Sequence, residues 1–414
     1  MNQSISKMHI LIFKTLDVCF ATSLLSSANF IYRSIVVDKV STNNLSDHFT
    51  SISKALEYAS PFTRIKITTG IYEENLKIEK PNIILEPKEK GGEVTIVLVK
   101  NSCVLVELKD NTESWTLKSM NLKYKSNSKK RDNVSESDHP TIDSKLENND
   151  EANQEFMNSF VTSDIMPCIV NIKKGKLKLL NWIIDFDGDL EKEERFPWVL
   201  GQKTASLDIE QTTISGGGRH KVHTTGIYMH NPSDVSIKKC TIQHHLDGGI
   251  LLNLDAKSIV QVKGNTIGAW NISAIYVEGP DSCPDLTENT INFCQAPAIK
   301  IGSEVSANVV SNEIKSNSIG IILSNCSSKV ISNKVVKSHK DGIQIFWSGE
   351  ENDCNSSYIN KNNIIASKLN GIFVSGDQCH PKIESNYVEN NKKWGIIVTD
   401  NSRADIINKN EIRK

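Results

Sequence analysis

Six residues with side chains suited to chemistry fall within one short span: Arg219, His220, His223, His244, His245 and Asp247. His223 precedes Gly226 by three residues and His245 precedes Gly249 by four, so in a repeating chain the imidazoles would stack beside Gly216-Gly-Gly218. Imidazole titrates near neutral pH, and such a cluster can hold a metal or an anion or supply a general base. The plain alternative is a set of solvated turn histidines. Carboxylates are the second source of chemistry: Asp247 in Asp-Gly-Gly and Asp341 in Asp-Gly occupy matching places in the repeat. Four coils separate them, roughly 19 Å, whereas glycoside hydrolysis needs carboxyls roughly 5 to 9.5 Å apart. The sequence therefore assigns no catalytic residue, no metal and no cofactor. The third set is aromatic. Tyr228, Tyr276 and Phe373 share the slot after a Gly-Ile or Ala-Ile pair. A ladder of exposed rings there suits protein recognition or sugar stacking; the other reading is a face covered by an insertion or loop.

What positions these residues is a repeat. An aliphatic residue, two spacers, Asn, one spacer, then Ile or Val recurs at Val262/Asn265/Ile267, Leu286/Asn289/Ile291, Val309/Asn312/Ile314 and Val330/Asn333/Val335. It continues at Ile359/Asn362/Ile364, Ile383/Asn386/Val388 and Ile407/Asn410/Ile412. Interleaved is a small residue followed by alternating aliphatics, as in Gly320-Ile-Ile-Leu323 and Gly342-Ile-Gln-Ile345. Period-two alternation marks a strand with one buried face. No stretch between the phrases supplies a crossover helix, so consecutive coils stack directly as parallel strands. The fold expected is all-β, a single right-handed parallel β-helix, with the hand following from the general preference of parallel crossovers. Identical Asn side chains stack from coil to coil, each bonding local backbone and tolerating a left-handed turn. Earlier coils, at Ile209/Thr212/Ile214 and Ile237/Cys240/Ile242, keep the spacing without Asn.

The β-helix is expected over residues 49–414, after an N-terminal segment 1–48 of unassigned order. Thr50 is the expected N-cap of a short helix with Ile52, Ala55, Leu56 and Ala59 on one face, which closes the open end of the rod. From about 125 to 164, Lys, Asp, Glu, Ser and Asn replace the aliphatic pattern, as expected of a disordered insertion, with an acidic serine cluster at Ser135-Glu-Ser-Asp138. A net charge of −1 at pH 7 offers no basic stripe for nucleic acid. Val18 to Tyr32 is too short and polar to span a membrane. Nine cysteines without a Cys-x-x-Cys pair suit reduced thiols and a cytoplasmic location, with secretion as the alternative.

Two family resemblances follow from these phrases. Phe49-Thr-Ser-Ile-Ser-Lys-Ala-Leu56, Arg64-Ile-Lys-Ile and Gly70-Ile-Tyr-Glu-Glu74 resemble the opening coil of right-handed β-helix proteins such as pectin methylesterases. That family's catalytic strands and Arg-Pro-Trp corner are missing; Asp185-Phe-Asp-Gly188 is the nearest phrase. With the Asn and Gly-Ile phrases and Gly216-Gly-Gly-Arg-His220 leading into Thr225-Gly-Ile-Tyr228, the chain from Phe49 onward is similar to the SHC SH2-domain-binding protein family. More distantly it is similar to the β-helix region of F-box-only receptors. The resemblance implies a non-catalytic scaffold for protein partners in cytokinesis, spindle organisation or germ-cell division, with a cytoskeletal association. The alternatives are a polysaccharide-binding or polysaccharide-cleaving β-helix and the substrate-recognition part of a ubiquitin ligase. Tyr228, Tyr276 and Phe373 are the expected binding residues, for protein partners or for glycans.

Overall fold

The structure is a computed structural model that describes residues 32–39, 47–98, 103–125, 168–187, 196–216, 224–245, 247–269, 271–348, 356–407 and 409–414. Among the described residues it is an all-β parallel solenoid of about 11 turns with a single short helix. The strands form three parallel sheets of 15, 13 and 12 strands, each coil contributing one strand to each sheet in turn. Each coil thus has three strands, where the sequence phrases suggested two. The phrase around Asn312 is itself two strands, Asn308–Val310 on the first sheet and Glu313–Lys315 on the second. The third sheet carries the Gly-Ile phrase.

The bend between the first two strands depends on the residue before each Asn. Glu288, Ser311, Ser332, Lys361 and Ser385 have φ between 56 and 58° or, for Lys361, 54°. The left-handed position is therefore one residue earlier than the sequence suggested. The Asn side chain turns inward, and the Nδ2 of Asn312 donates to Leu286 O and to Asn333 Oδ1, both at 2.9 Å. Its own Oδ1 accepts from Asn289 N and Nδ2 at 3.0 Å. The ladder runs unbroken from Asn265 to Asn410. Each amide satisfies backbone groups that a bare turn would leave buried and unpaired.

Interior columns are apolar. Ile227, Ile250, Ile275, Ile299, Ile321, Ile343 and Ile372 pair in register down the third sheet and are fully buried. Burying one such side chain contributes about 1.5–3 kcal/mol. The small residue before each Ile has a steric cause: a Cβ on Gly320 would stand 2.3 Å from the Gly342 carbonyl oxygen of the next coil.

The N-terminal end is closed by the helix Ile52–Tyr58, with Ile52, Ala55 and Leu56 buried. Its N-cap is Ser51 rather than Thr50. Glu74, the last residue of the Gly-Ile-Tyr-Glu-Glu phrase, accepts from Ile52 N at 2.9 Å and from Ser53 N, Ser51 Oγ and Ser53 Oγ at 2.8 Å. Burial pushes this carboxyl pKa up, but the Ser53 and Ile52 amides and the two hydroxyls outweigh it and leave it below the ordinary value. The first strand, Arg33–Val37, pairs with Thr63–Ile67 and lies upstream of the expected boundary at residue 49. At the other interruption, Lys125 closes the strand Asn121–Lys125; the insertion after it, with Ser135 and Asp138, lies outside the described residues.

Candidate functional site

On the third sheet the side chains one and three residues after each paired isoleucine face outward. The nearer column reads Leu200, Tyr228, Leu251, Tyr276 and Lys300, and the farther one reads His230, Asn253 and Glu278. The farther column is polar on three consecutive coils. Asn253 Nδ2 donates to Glu278 Oε1 at 3.0 Å, and Tyr276 Oη donates to Glu278 Oε2 at 2.8 Å. Lys300 Nζ stands 5.3 Å from the Tyr276 ring centroid, a cation–π distance. Glu278 and Lys300 are both nearly buried. His230 lies two strand spacings from Glu278, roughly 10 Å along the rod. Its Nδ1 is buried and has no hydrogen-bond partner among the described residues. Burial, with the charge of Lys203 adding to it, lowers the His230 pKa below the ordinary imidazole value, so the ring is neutral at neutral pH.

A neutral, part-exposed imidazole is a proton acceptor. A carboxylate held by an amide and a phenol is fixed in place, and the buried Lys300 ammonium on the next coil lies over the same phenol ring. The row therefore has the parts for proton transfer at a bound polar substrate. Sequence reading missed His230, Asn253, Glu278 and Lys300 because they differ from coil to coil. The signal was present in the third residue after each isoleucine, polar at all three consecutive coils from Ile227 to Ile275.

The expected polar cluster is not brought together. Arg219, His220 and His223 lie outside the described residues. His244 and His245 point in opposite directions: His244 is exposed at a left-handed corner with φ 62°, and His245 is fully buried. His245 fills the interior corner position that Cys294 and Asn317 hold on later coils, each after a left-handed residue. Its Nδ1 is 3.3 Å from Thr224 Oγ1, its Nε2 is 3.4 Å from Ile214 O, and its ring meets Trp198 edge-on at 5.4 Å. Burial, against some support from the Ile214 carbonyl, pushes its pKa down to about 3. It is a neutral packing group and no surface base. Asp247 is buried too. Asp341 is one place out of register with it, because Asp341 stands two residues before Ile343 whereas Asp247 stands three before Ile250. The Asp341 carboxylate is fully used, accepting from Asn370 N, Asn370 Nδ2 and Gln344 Nε2 at 2.7, 2.8 and 2.6 Å. No group of three or more His, Cys, Asp or Glu able to hold a metal occurs among the described residues.

The expected exposed aromatic ladder is also corrected. Tyr228 is 0 % and Tyr276 3 % exposed, packed with Cys168, Leu200 and Leu251 in an outer cluster. Burial, with Glu278 nearby, raises the Tyr228 pKa. Phe373 alone of the three is half-exposed, meeting Phe346 edge-on at 5.7 Å. A shallow pocket of about 460 Å³ lies elsewhere, on the second sheet, lined by Ile71, Glu73, Glu93, Thr95 and Lys123 among others. No unpartnered buried polar atom of the described residues faces it, so the third-sheet row is the better-built site.

Residues 249–412 match the family model for the right handed beta helix region. No curated protein matches the sequence. Among solved structures, the catalytic domain of a GH87 α-1,3-glucanase in complex with tetrasaccharides matches with TM-score 0.58 and 13% identity, over 91% of this chain and 68% of that one. The catalytic unit of the thermostable GH87 α-1,3-glucanase from Streptomyces thermodiastaticus gives 0.57 and 9%, over 92% and 68%. A double mutant of the periplasmic alginate epimerase AlgG gives 0.52 and 11%, over 84% and 77%. The fold class is a right-handed parallel β-helix. At these identities the likeness shows the fold. The narrower resemblance to the SHC SH2-domain-binding family is not shown. The expectations of a non-catalytic protein scaffold and of no enzyme activity are overturned: the matching structures are an epimerase and glucanases, and two of the three rings expected to form a docking face are buried. Among the described residues no helix is long and apolar enough to cross a membrane.

Proposed function

We propose that this chain is an enzyme acting on a polysaccharide bound at the edge of the third sheet's outer face, where His230 and Asn253 are part-exposed. The observation that carries the reading is the row His230, Asn253 and Glu278 with Tyr276 and Lys300, one neutral base and one fixed carboxylate on a rigid face. The carbohydrate-acting enzymes that share the architecture support the same direction. His230, neutral and part-exposed, accepts a proton, Glu278 handles a second proton or orients a hydroxyl, and Asn253 holds polar groups of the sugar. Roughly 10 Å between His230 and Glu278, two coils apart in one column, matches the span of a sugar ring. The half-exposed rings of Phe346 and Phe373 lie further along the same face, where a sugar ring can stack. A glycan-directed role goes with the secreted alternative rather than with the spindle-associated location.

The test is a panel of neutral and acidic polysaccharides, including α-1,3-glucan, alginate and pectin. Reducing ends, unsaturated products and changes in uronate configuration are read separately. Turnover on one polymer, lost in His230→Ala and Glu278→Gln with the fold intact, is expected. Turnover that survives both substitutions would remove this site from the chemistry.

A further inference from the structure

Two cysteines flank the segment between the third-sheet strands Val104–Glu107 and Val170–Lys174. These strands pair in parallel with Val104 opposite Val170, and Val104 N donates to Ile169 O at 2.9 Å. Cys103 immediately precedes the first strand and Cys168 lies two residues before the second. They sit on adjacent coils one residue out of step, which places their Cα atoms roughly 6 Å apart, within the range a disulfide spans. Cys168 is buried and Cys103 half-buried, and both pack in the outer cluster with Leu200, Tyr228 and Tyr276.

The other cysteines among the described residues differ. Cys240, Cys326 and Cys379 are interior, their thiols facing the carbonyls of Ile209, Ile301 and Ile345. Burial pushes them up to about 11, 12 and 12. Cys294 is buried in the core as well, and Cys283 is exposed without a cysteine neighbour in the outer cluster. Cys103 goes the other way: the hydrogen bond from Cys168, against burial and with help from Lys173, lowers its pKa. Cys168 is raised by the same bond and by burial. The accessible thiol is thus the better nucleophile and the buried one is placed to resolve it.

We propose that Cys103 and Cys168 form a redox-active pair that closes to a disulfide across adjacent coils. The oxidant is a small-molecule disulfide. The Cys103 thiolate attacks one of its sulfurs, forming a mixed disulfide and expelling one thiolate. Cys168 then attacks the Cys103 sulfur, forming the Cys103–Cys168 bond and expelling the second. The two protein protons end on the two released thiols, so the protein loses two electrons and the oxidant gains them. Closure ties together the two ends of the 65-residue step between the cysteines, independently of the polysaccharide reading.

The test incubates the folded chain with oxidised glutathione, blocks free thiols by alkylation, and maps peptides by mass spectrometry without reduction. A Cys103–Cys168 linked peptide is expected. Cys168→Ser should retain glutathione on Cys103, and Cys103→Ser should leave Cys168 unmodified. A higher thermal midpoint is expected for the oxidised protein, returning to the starting value on reduction. Cys283 reports that the oxidant worked. Separate alkylation of Cys103 and Cys168 in a sample where Cys283 carries glutathione would overturn the proposal, as would the lack of an adduct on Cys103 in Cys168→Ser.

Discussion

The two halves of the rod make one geometry by different means. From Asn265 to Asn386 every first bend is held by a buried Asn bonded to the next, and the chain matches a family model over 249–412. Before that point the same inward place is held by Trp182, Thr212 and Cys240, after left-handed Asn181, Gln211 and Lys239. The two modes meet where Asn265 Oδ1 accepts from Cys240 N at 2.8 Å. The corner before the third sheet changes likewise. Trp198 is fully buried in the column that Gly226 and Gly249 occupy on the next coils. The later half is repetitive and polar-bonded at its turns; the earlier half is filled by individual large side chains. The candidate site sits at this junction, on the coils of Tyr228, Leu251 and Tyr276. Coil geometry is thus robust to how a turn is satisfied, and side chains free of ladder duty are available for chemistry.

This comparison breaks first at Trp198. Trp198→Ala empties a large corner volume beside His245 and should cost about 3–5 kcal/mol, read from the denaturant midpoint of the earlier half. A cost no greater than that of a ladder substitution would show that the earlier coils do not depend on single large residues. The pH response comes next. His245 stays neutral with a pKa of about 3 against an ordinary 6.5, so the unfolded chain binds the extra proton between these values. Stability is therefore full above about pH 6.5 and falls as pH is lowered, by about 1.4 kcal/mol per pH unit. His245→Asn, which introduces the residue found at the equivalent Asn317, should flatten the thermal midpoint between about pH 7 and about pH 4. An unchanged slope would place the acid sensitivity elsewhere.

The ladder sharpens the contrast. Asn312→Ala removes donors and an acceptor from four buried bonds and should cost about 1–3 kcal/mol. Asn410, half-buried and accepting from Asn386 on one side only, should cost less than Asn312, about 1 kcal/mol. Equal shifts at the two positions would mean that the amides do not act as a continuous chain.

The sequence made the ladder half legible because its signal is repetition: Asn312 and its equivalents recur at fixed spacing, and so do Ile321 and its equivalents. The third strand per coil was hidden because one phrase straddles a bend set by Ser311, whose type varies freely as Glu288 and Lys361 show. Burial of Tyr228 and Tyr276 was hidden for another reason, since alternation assigns a side chain to the outer face but says nothing of what packs on that face. His245 misled because a histidine next to a turn looks solvated. Only the left-handed His244 before it turns the ring inward. The strand at Arg33–Val37 was missed because Arg33-Ser-Ile-Val-Val37 lies before the first repeat phrase. Residues that differ on every coil, His230, Asn253 and Glu278, are the ones a search for repeats discards.

The central claim is that the third-sheet row performs proton transfer on a bound glycan. It is tested most directly by turnover of wild type, His230→Ala and Glu278→Gln on the polymer identified in the panel, with circular dichroism confirming the fold. The account predicts a fall of roughly 10²–10⁴-fold in turnover for each variant, with unchanged thermal midpoints. Turnover within a few-fold of wild type in both folded variants would contradict it.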